Sequence, residues 1–478
     1  MKLHAHKFID TAQKAINNPN LQSAVDIGTK LASDKRDKSL FADGIEHGEK
    51  MRDQAAAIKK RCLNQLPGLL EKAEANMIAN GIKVLWASEA AEANEQVLEI
   101  ARNHRCYLAA KSKSMATEET GLNEYLESAG IEVVETDLGE FIVQLCEETP
   151  SHIVVPIVHK TKASIRDTLI KKTGMPYTDS TDEMTRFART YLREKFLQAD
   201  LGISGGNFII AETGSLALVT NEGNGRMVTS LPNVHVALVG IEKIIETVED
   251  YATLTQILPR SATGQSLTTY TQMINGPRHP EETDGPKHVY VIFLDNGRSS
   301  IYTSKFADSL PCIRCGACLN ACPVYQVTGG HAYGWVYPGP IGSILTPLFN
   351  GLQNAKVLPD ACSLCGKCKE VCPVKIDLPR MLLELRHETV DRKLSNKLWD
   401  IGIKLWAAIN KSPKMYQISG RIGASMCRVW PFQNYPWPIN RWTKYRSIPQ
   451  LKNKSFTNLW MERQLKQEKN DRQPYKDS

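Results

Sequence analysis

The sequence has no apolar run long enough to cross a membrane. Its mostly apolar stretches are short; Ile82 to Ala87 and Ile401 to Ile409, for example, are each interrupted by a lysine. A span needs roughly 18 uninterrupted apolar residues. The start, Met1-Lys2-Leu3-His4-Ala5-His6-Lys7, has no apolar h-region behind it. Export on a secretory signal is therefore not expected, and a cytoplasmic location is. Neither the Rossmann nor the Walker glycine fingerprint occurs, so the usual sequence basis for a dinucleotide or P-loop nucleotide site is missing. No nucleic-acid recognition motif accompanies the +7 net charge, and no nucleic-acid partner is expected.

What is present is enough for a packed core. The 478 residues are 42% hydrophobic, an ordinary globular share. That length corresponds to about three domains. The charge is uneven: Met381 to Ser478 carries 19 Lys/Arg against 8 Asp/Glu, a net +11, which leaves −4 for the rest. A basic tail on a slightly acidic body fits a docking surface, peripheral membrane contact included, and equally fits a plain solvated surface. Trp430, Trp437, Trp442 and Trp460 in that tail read either as an aromatic protein interface or as packing against the body.

Four segments follow from the pattern. Residues 1–75 are rich in helix formers, as in Ala55-Ala56-Ala57-Ile58, and carry no motif attached to chemistry. Residues 76–298 alternate short apolar runs with amphipathic stretches, which predicts an α/β domain with a largely parallel sheet. Strands are predicted at 82–86, 131–134, 153–157, 208–211, 215–219, 234–239 and 289–294. Helices are predicted at 91–101 and 182–199. The stretch from Phe208 to Val219 reads as a hairpin about Glu212-Thr213-Gly214. Residues 299–390 hold cysteine repeats, and 391–478 form the basic, Trp-rich region. Helix is predicted there to about Lys411, then irregular chain through Trp430–Pro438, then a short helix over 453–469.

Eight of the twelve cysteines fall in two matching runs. Cys312, Cys315, Cys318 and Cys322-Pro323 form one; Cys362, Cys365, Cys368 and Cys372-Pro373 form the other. Both follow C-x2-C-x2-C-x3-C-P, the bacterial ferredoxin run, in which the fourth cysteine ligates the other cluster. The predicted cofactors are two [4Fe–4S] clusters. One is assigned to Cys312, Cys315, Cys318 and Cys372, the other to Cys362, Cys365, Cys368 and Cys322. Structural zinc is a poorer reading, because zinc knuckles pair C-x2-C units from separate segments. Gly316 and Gly366 recur at one place in each run, where a missing Cβ lets backbone N–H groups approach sulfur. Asp377 is the expected N-cap of a helix carrying Met381, Leu382 and Leu385. The result is an α-helical ferredoxin domain. Arg314, Lys367 and Lys369 beside the runs read as tuning or docking charges, or as ordinary surface. Cys62, Cys106, Cys146 and Cys427 read as small buried hydrophobes.

A glycine-rich centre, Asp200 to Arg226, offers a small-ligand pocket from Gly205, Gly206, Asn207, Glu212, Thr213, Asn221 and Arg226. Successive N–H groups at left-handed turns form anion nests, and Arg226 supplies a fork. The competing reading is hairpin turns that need left-handed residues. His152, His159 and His235 read as packed, hydrogen-bonded side chains.

Several strings resemble the lactate utilisation protein B family: Lys111 to Met115, Val134 to Glu140, Gly202 to Phe208, Ala211 to Ser215, Thr220 to Arg226, Asp295 to Arg298, and both cysteine runs. The resemblance is weakest before about residue 60 and after about 390. It implies that the central domain is a lactate-utilisation (LUD) domain, similar in fold to the ribose-5-phosphate isomerase and CoA-transferase group. It further implies a role in bacterial oxidation of L-lactate to pyruvate, beside a cysteine-rich cluster protein and a smaller LUD-domain protein. No catalytic residue is carried over, because kinship of fold does not establish chemistry.

The expected function is therefore that of an electron-carrying subunit of an L-lactate-oxidising complex, not itself the catalyst. Two alternatives are a 2-hydroxy-acid oxidoreductase whose α/β pocket binds substrate, and a redox-sensing binding module.

Overall fold

The computed structural model describes residues 2–395, 397–429 and 454–471. The aromatic stretch Trp430 to Pro438, with Trp442, lies outside the described residues. The chain forms two compact units, Met1–Asp391 and Arg392–Ser478.

The first unit is organised by a parallel six-stranded sheet. Its strands are β1 (Lys83–Ala87), β2 (Leu108–Lys111), β3 (Glu132–Glu135), β4 (Leu201–Ser204), β7 (Val234–Gly240) and β10 (His288–Leu294). They are ordered β1-β10-β7-β4-β2-β3, and every pairing is parallel. The central strands are continuous apolar runs because both faces of the sheet are covered; all seven residues of β7 are buried. One core gathers Val97, Leu122, Leu126, Val236, Leu238 and Ile292; another gathers Phe141, Leu169, Met184 and Phe196. A second sheet comprises β5 (Phe208–Ile210), β6 (Ser215–Thr220), β8 (Ile244–Ile245) and β9 (Tyr270–Ile274), in the order β8-β5-β6-β9. β5 and β6 pair antiparallel with Ile210 opposite Ser215, so the expected hairpin is present. Gly214 at its turn has φ +64°, and a Cβ there would come 2.5 Å from the Asn76 backbone.

The expected strand at 153–157 is absent. The His152 Nδ1 accepts from the N–H groups of both Val154 and Val155 at 3.0 Å, which folds this segment back on itself, and Pro156 has no N–H for a ladder. β2 and β4, four residues each, had no strong apolar alternation to announce them.

The N-terminal residues form helices Phe8–Ile16, Pro19–Leu40, Ile45–Asn64 and Leu66–Ala79. Two of them clamp the end of the second cysteine run. Arg52 donates from Nε and Nη2 to the Cys372 carbonyl at 3.1 and 2.9 Å, and Arg36 donates to the Val371 carbonyl at 3.0 Å. The cysteine region is helical in short pieces, ending in Leu378–Asp391. There Asp377 Oδ1 accepts from the Arg380 N–H at 3.3 Å, as a cap should, and Met381, Leu382 and Leu385 are buried.

The second unit contains helices Lys397–Asn410, Pro413–Val429 and Phe456–Asp471. The first of these ends at Asn410, close to the expected end near Lys411, and a separate helix starts at Pro413 where irregular chain was expected; proline is tolerated at a helix start because its missing N–H removes no bond there. Trp460 is exposed and stacks on Phe456 at 5.9 Å. No helix among the described residues is long and apolar enough to cross a membrane.

Candidate functional site

The two cysteine runs fold alike. Each carries a left-handed residue at the second inter-cysteine position, Arg314 (φ 60°) and Leu364 (φ 55°), and a left-handed glycine, Gly316 (φ 75°) and Gly366 (φ 80°). Each glycine caps a one-turn helix, Ala317–Asn320 or Lys367–Glu370. Gly316 is also crowded, since a Cβ would stand 2.9 Å from the His152 ring.

Folding gathers the sulfurs into two sets that cross between the runs. Cys312, Cys315, Cys318 and Cys372 line one enclosed space with Ile313, Ile341, Val374 and Ile376. Burial pushes the Cys315 thiol up to about 12, and its neighbours Cys372 and Cys312 add to the rise. In the other set, burial pushes Cys368 up to about 12, with Cys362, Cys322 and Cys365 beside it. Backbone N–H groups point at sulfur in both: Ile376 to Cys372 at 3.4 Å and Leu364 to Cys362 at 3.3 Å. Bare thiols so buried stay protonated. A thiolate-ligated iron–sulfur group supplies the missing positive charge and uses the N–H···S bonds, so the donor sets fit it. The sets differ in cover. Cys315 and Cys372 are buried and Cys312 and Cys318 half-buried, whereas Cys365 is exposed.

A cavity of about 410 Å³ adjoins the first set. Its walls are the loops at the carboxyl ends of β2 (Ser112, Lys113, Ser114), β4 (Gly205, Gly206, Asn207) and β7 (Glu242, Lys243). From the adjacent β2 and β4 the chain departs in opposite directions, to β3 and toward β7, so the cavity lies at a topological switch point. Ile313, Arg314 and Cys315 close its inner end.

Charge at that end is organised by Arg298, which is 1% exposed. Its Nη1 and Nη2 donate to the two oxygens of Glu119 at 2.9 Å each, and its Nε donates to Glu242 Oε2 at 2.6 Å. The Tyr337 hydroxyl donates to Glu119 Oε2 at 2.8 Å, and the Arg314 guanidinium lies over the Tyr337 ring, 4.9 Å from its centroid. Buried Lys59 donates to the Glu242 and Ile244 carbonyls at 2.8 and 3.3 Å, fixing the loop behind the wall. Burial works to raise Glu242, but Arg298, Lys243 and Arg314 hold it down at about 2. Burial, then Arg314, pull Lys243 down to about 7.

Of the residues the sequence nominated for a pocket, Gly205, Gly206, Asn207 and Asn221 line this cavity. Glu212, Thr213 and Arg226 do not. Glu212 lies by the hairpin turn and accepts from the Val248 N–H at 2.9 Å, Thr213 pairs with Ser215 at 2.6 Å, and Arg226 is exposed on helix Asn224–Val228. Nor do Gly205 and Gly206 adopt positive φ; they are glycine because a Cβ would meet Ser114 Oγ at 2.7 Å or Leu216 at 2.6 Å. The three histidines are packed and bonded: His152 to Asn320 at 3.1 Å, His159 to Glu148 at 2.9 Å, His235 to Ser204 at 2.8 Å. Lys243, Glu242 and the cavity-facing role of Arg314 were not anticipated, since only tertiary contact brings them together.

Comparison with known proteins agrees with these two parts. Residues 70–294 match the LUD domain, residues 308–376 the 4Fe-4S dicluster domain, and residues 388–465 the C-terminal region of lactate utilisation protein B. The chain is 40% identical over 471 residues to Lactate utilization protein B of Oceanobacillus iheyensis, covering 97% of this chain and 98% of that one. It is 39% identical over 468 residues to the "Uncharacterized electron transport protein YkgF" of Escherichia coli K12, covering 97% and 98%. Lactate utilization protein B of Bacillus licheniformis is 39% identical over 483 residues, with 99% and 100% covered. The cofactor complement is accordingly two [4Fe–4S] clusters.

Proposed function

The chain belongs to the lactate utilization protein B family, and on that premise we propose that it is the electron-transfer subunit of an assembly oxidising L-lactate to pyruvate. As an iron–sulfur protein of lactate utilisation it takes its redox chemistry from its clusters, each of which exchanges one electron at a time. We assign one cluster to Cys312, Cys315, Cys318 and Cys372 and the other to Cys362, Cys365, Cys368 and Cys322. The observation that carries the reading is the crossed gathering of eight sulfurs, the first four around one enclosed space.

The protein's own residues hold and position. Arg52 and Arg36 fix the carbonyls at the end of the second run, and Asp377 starts the helix that follows. Exposed Cys365 and Leu364, with Lys367 and Lys369 on the same turn, give a redox partner access to the second set. The partners this reading requires are other lactate-utilisation proteins, a cysteine-rich cluster protein and a smaller LUD-domain protein.

Anaerobic purification, iron and sulfide analysis, and EPR after dithionite test it. About eight irons per chain and a reducible paramagnetic signal are expected. About four irons, or a colourless protein carrying zinc, refutes the assignment.

A further inference from the structure

The cavity beside the first cysteine set is built around a side chain that lacks a partner. Arg314 has only 7% of its side chain exposed, yet its Nη1 and Nη2 have no hydrogen-bond partner. The one carboxylate within 4.0 Å among the described residues, Glu242 Oε1, is 3.5 Å from Nη2, and Glu242 is already bonded to Arg298 through its other oxygen; Cys312 also lies beside the guanidinium. Buried guanidinium N–H groups are costly to leave unmade, so such a group marks a place where something else bonds. Tyr337 covers the guanidinium face, and Arg314 lines both the cavity and the space among the first set of cysteines.

The repeat itself supplies a control. Leu364 occupies the same position in the second run with nearly the same backbone, φ 55° against 60°, and is exposed. The cysteine loop therefore does not need arginine to fold. What differs is the neighbourhood: only the first run faces the cavity.

Lys243 faces the same space and makes no ion pair within 4.0 Å among the described residues. Of the cations lining this end, Arg298 is neutralised by Glu119, and Glu242 stands alone against Arg314 and Lys243. A planar fork matches a carboxylate, and Glu242 beside it disfavours a phosphate dianion. The roughly 410 Å³ admits a three- or four-carbon acid together with water.

We propose that this cavity is a binding site for a small monocarboxylate, held by Arg314 and Lys243 against the first cysteine set. The site deepens the proposed function and rests on it in one respect, the cluster on Cys312, Cys315, Cys318 and Cys372. Arg314 then touches both the bound acid and the surroundings of that cluster, so occupancy perturbs the cluster's signal.

The test uses the anaerobically purified, cluster-loaded full chain. Calorimetric titration with pyruvate and with L-lactate, and with inorganic phosphate as a control, gives affinity and stoichiometry. EPR of the reduced protein with and without pyruvate gives the signature. One site per chain is expected, weakened about tenfold or more by Arg314→Leu and by Lys243→Gln, as loss of one charged donor requires. Pyruvate should shift one cluster signal in the parent protein and not in Lys243→Gln. Absence of saturable binding by either acid at millimolar concentration, unchanged affinity in Lys243→Gln, or tighter binding of phosphate overturns the proposal. If Arg314→Leu sheds iron, Lys243→Gln, which is outside the cysteine runs, decides alone. The iron count of the parent protein tests the cluster assignment separately, so the two readings can fail independently.

Discussion

Replacing Arg298 by Met keeps most of its volume and removes its charge. Arg298 makes three charge-assisted bonds to two buried carboxylates, at 2.6, 2.9 and 2.9 Å. After the change Glu119 still accepts from Tyr337 at 2.8 Å and Asn296 at 2.7 Å. Glu242 keeps the 3.5 Å approach of Arg314 and the charge of Lys243. Breaking a buried pair from one side costs about 3–5 kcal/mol, because a charge is left uncompensated. For a unit of 391 residues the unfolding entropy is about 0.8 kcal/mol per kelvin, so melting should fall by about 4–6 °C. The pH dependence carries the reasoning. In the parent protein Glu242 titrates at about 2, below its ordinary 4.5. Its contribution is therefore full above pH 4.5 and is lost as pH falls toward 2. Without Arg298, the largest of the charges lowering Glu242 is gone, burial lifts its pKa against Lys243 and Arg314 alone, and the contribution shrinks. The deficit of Arg298→Met should be larger at pH 7 than at pH 3.5, in far-ultraviolet circular dichroism melts at one scan rate. A shift under about 1 °C, or one equal at both pH values, refutes the account.

Two further outcomes follow from the same geometry. Cys372→Ser should remove the cluster held by the first run although the residue belongs to the second, leaving about four irons per chain and one EPR signal. Cys322→Ser should leave the complementary signal, and identical spectra from the two variants would contradict the crossover. Glu140 is 2% exposed with neither oxygen hydrogen-bonded, and burial, then Glu135, raise its pKa well above the ordinary value. A raised carboxyl favours folding at low pH and loses that contribution as pH rises through its folded pKa. Glu140→Gln should therefore melt with the parent at pH 5 and about 1–2 °C higher at pH 9, since each tenfold change in proton affinity is worth about 1.4 kcal/mol. A gain at pH 5 alone would reverse the sign and the argument.

Chemistry that sits in consecutive residues was readable from the sequence. The cysteine runs, their glycines and the Asp377 cap each depend on neighbours within a few positions, and the long apolar strands β7 and β10 carry their own burial pattern. The strand expected at 153–157 failed because one imidazole competes for two N–H groups, a contest that apolar pattern does not record. The pocket was half legible for a similar reason. Its glycine loop could be named, but Glu212 and Thr213 belong to the hairpin turn and point elsewhere. Lys243, Arg298 and Arg314 come from three distant segments and meet only in the folded chain. Arg52 is the extreme case: nothing in the N-terminal helices announces a bond to a carbonyl 320 positions away.

These long-range bonds make the two cysteine runs unequal although they share one spacing of cysteines, glycine and proline. The first run is set between His152, Tyr337 and the ends of the parallel strands, and its Arg314 shares Glu242 with Arg298. The second offers Cys365 and Leu364 to solvent. The potential of an iron–sulfur group depends on local charge, hydrogen bonds and exposure. Two clusters held by the same motif should therefore differ in potential because of residues outside the motif. A ferredoxin segment cut away from the α/β sheet would lose that difference, since the Glu119–Arg298–Glu242 network belongs to the sheet loops. Fusion of the cysteine runs to the sheet domain is thus what gives one of two alike clusters a private neighbour, the cavity, and leaves the other to meet the outside.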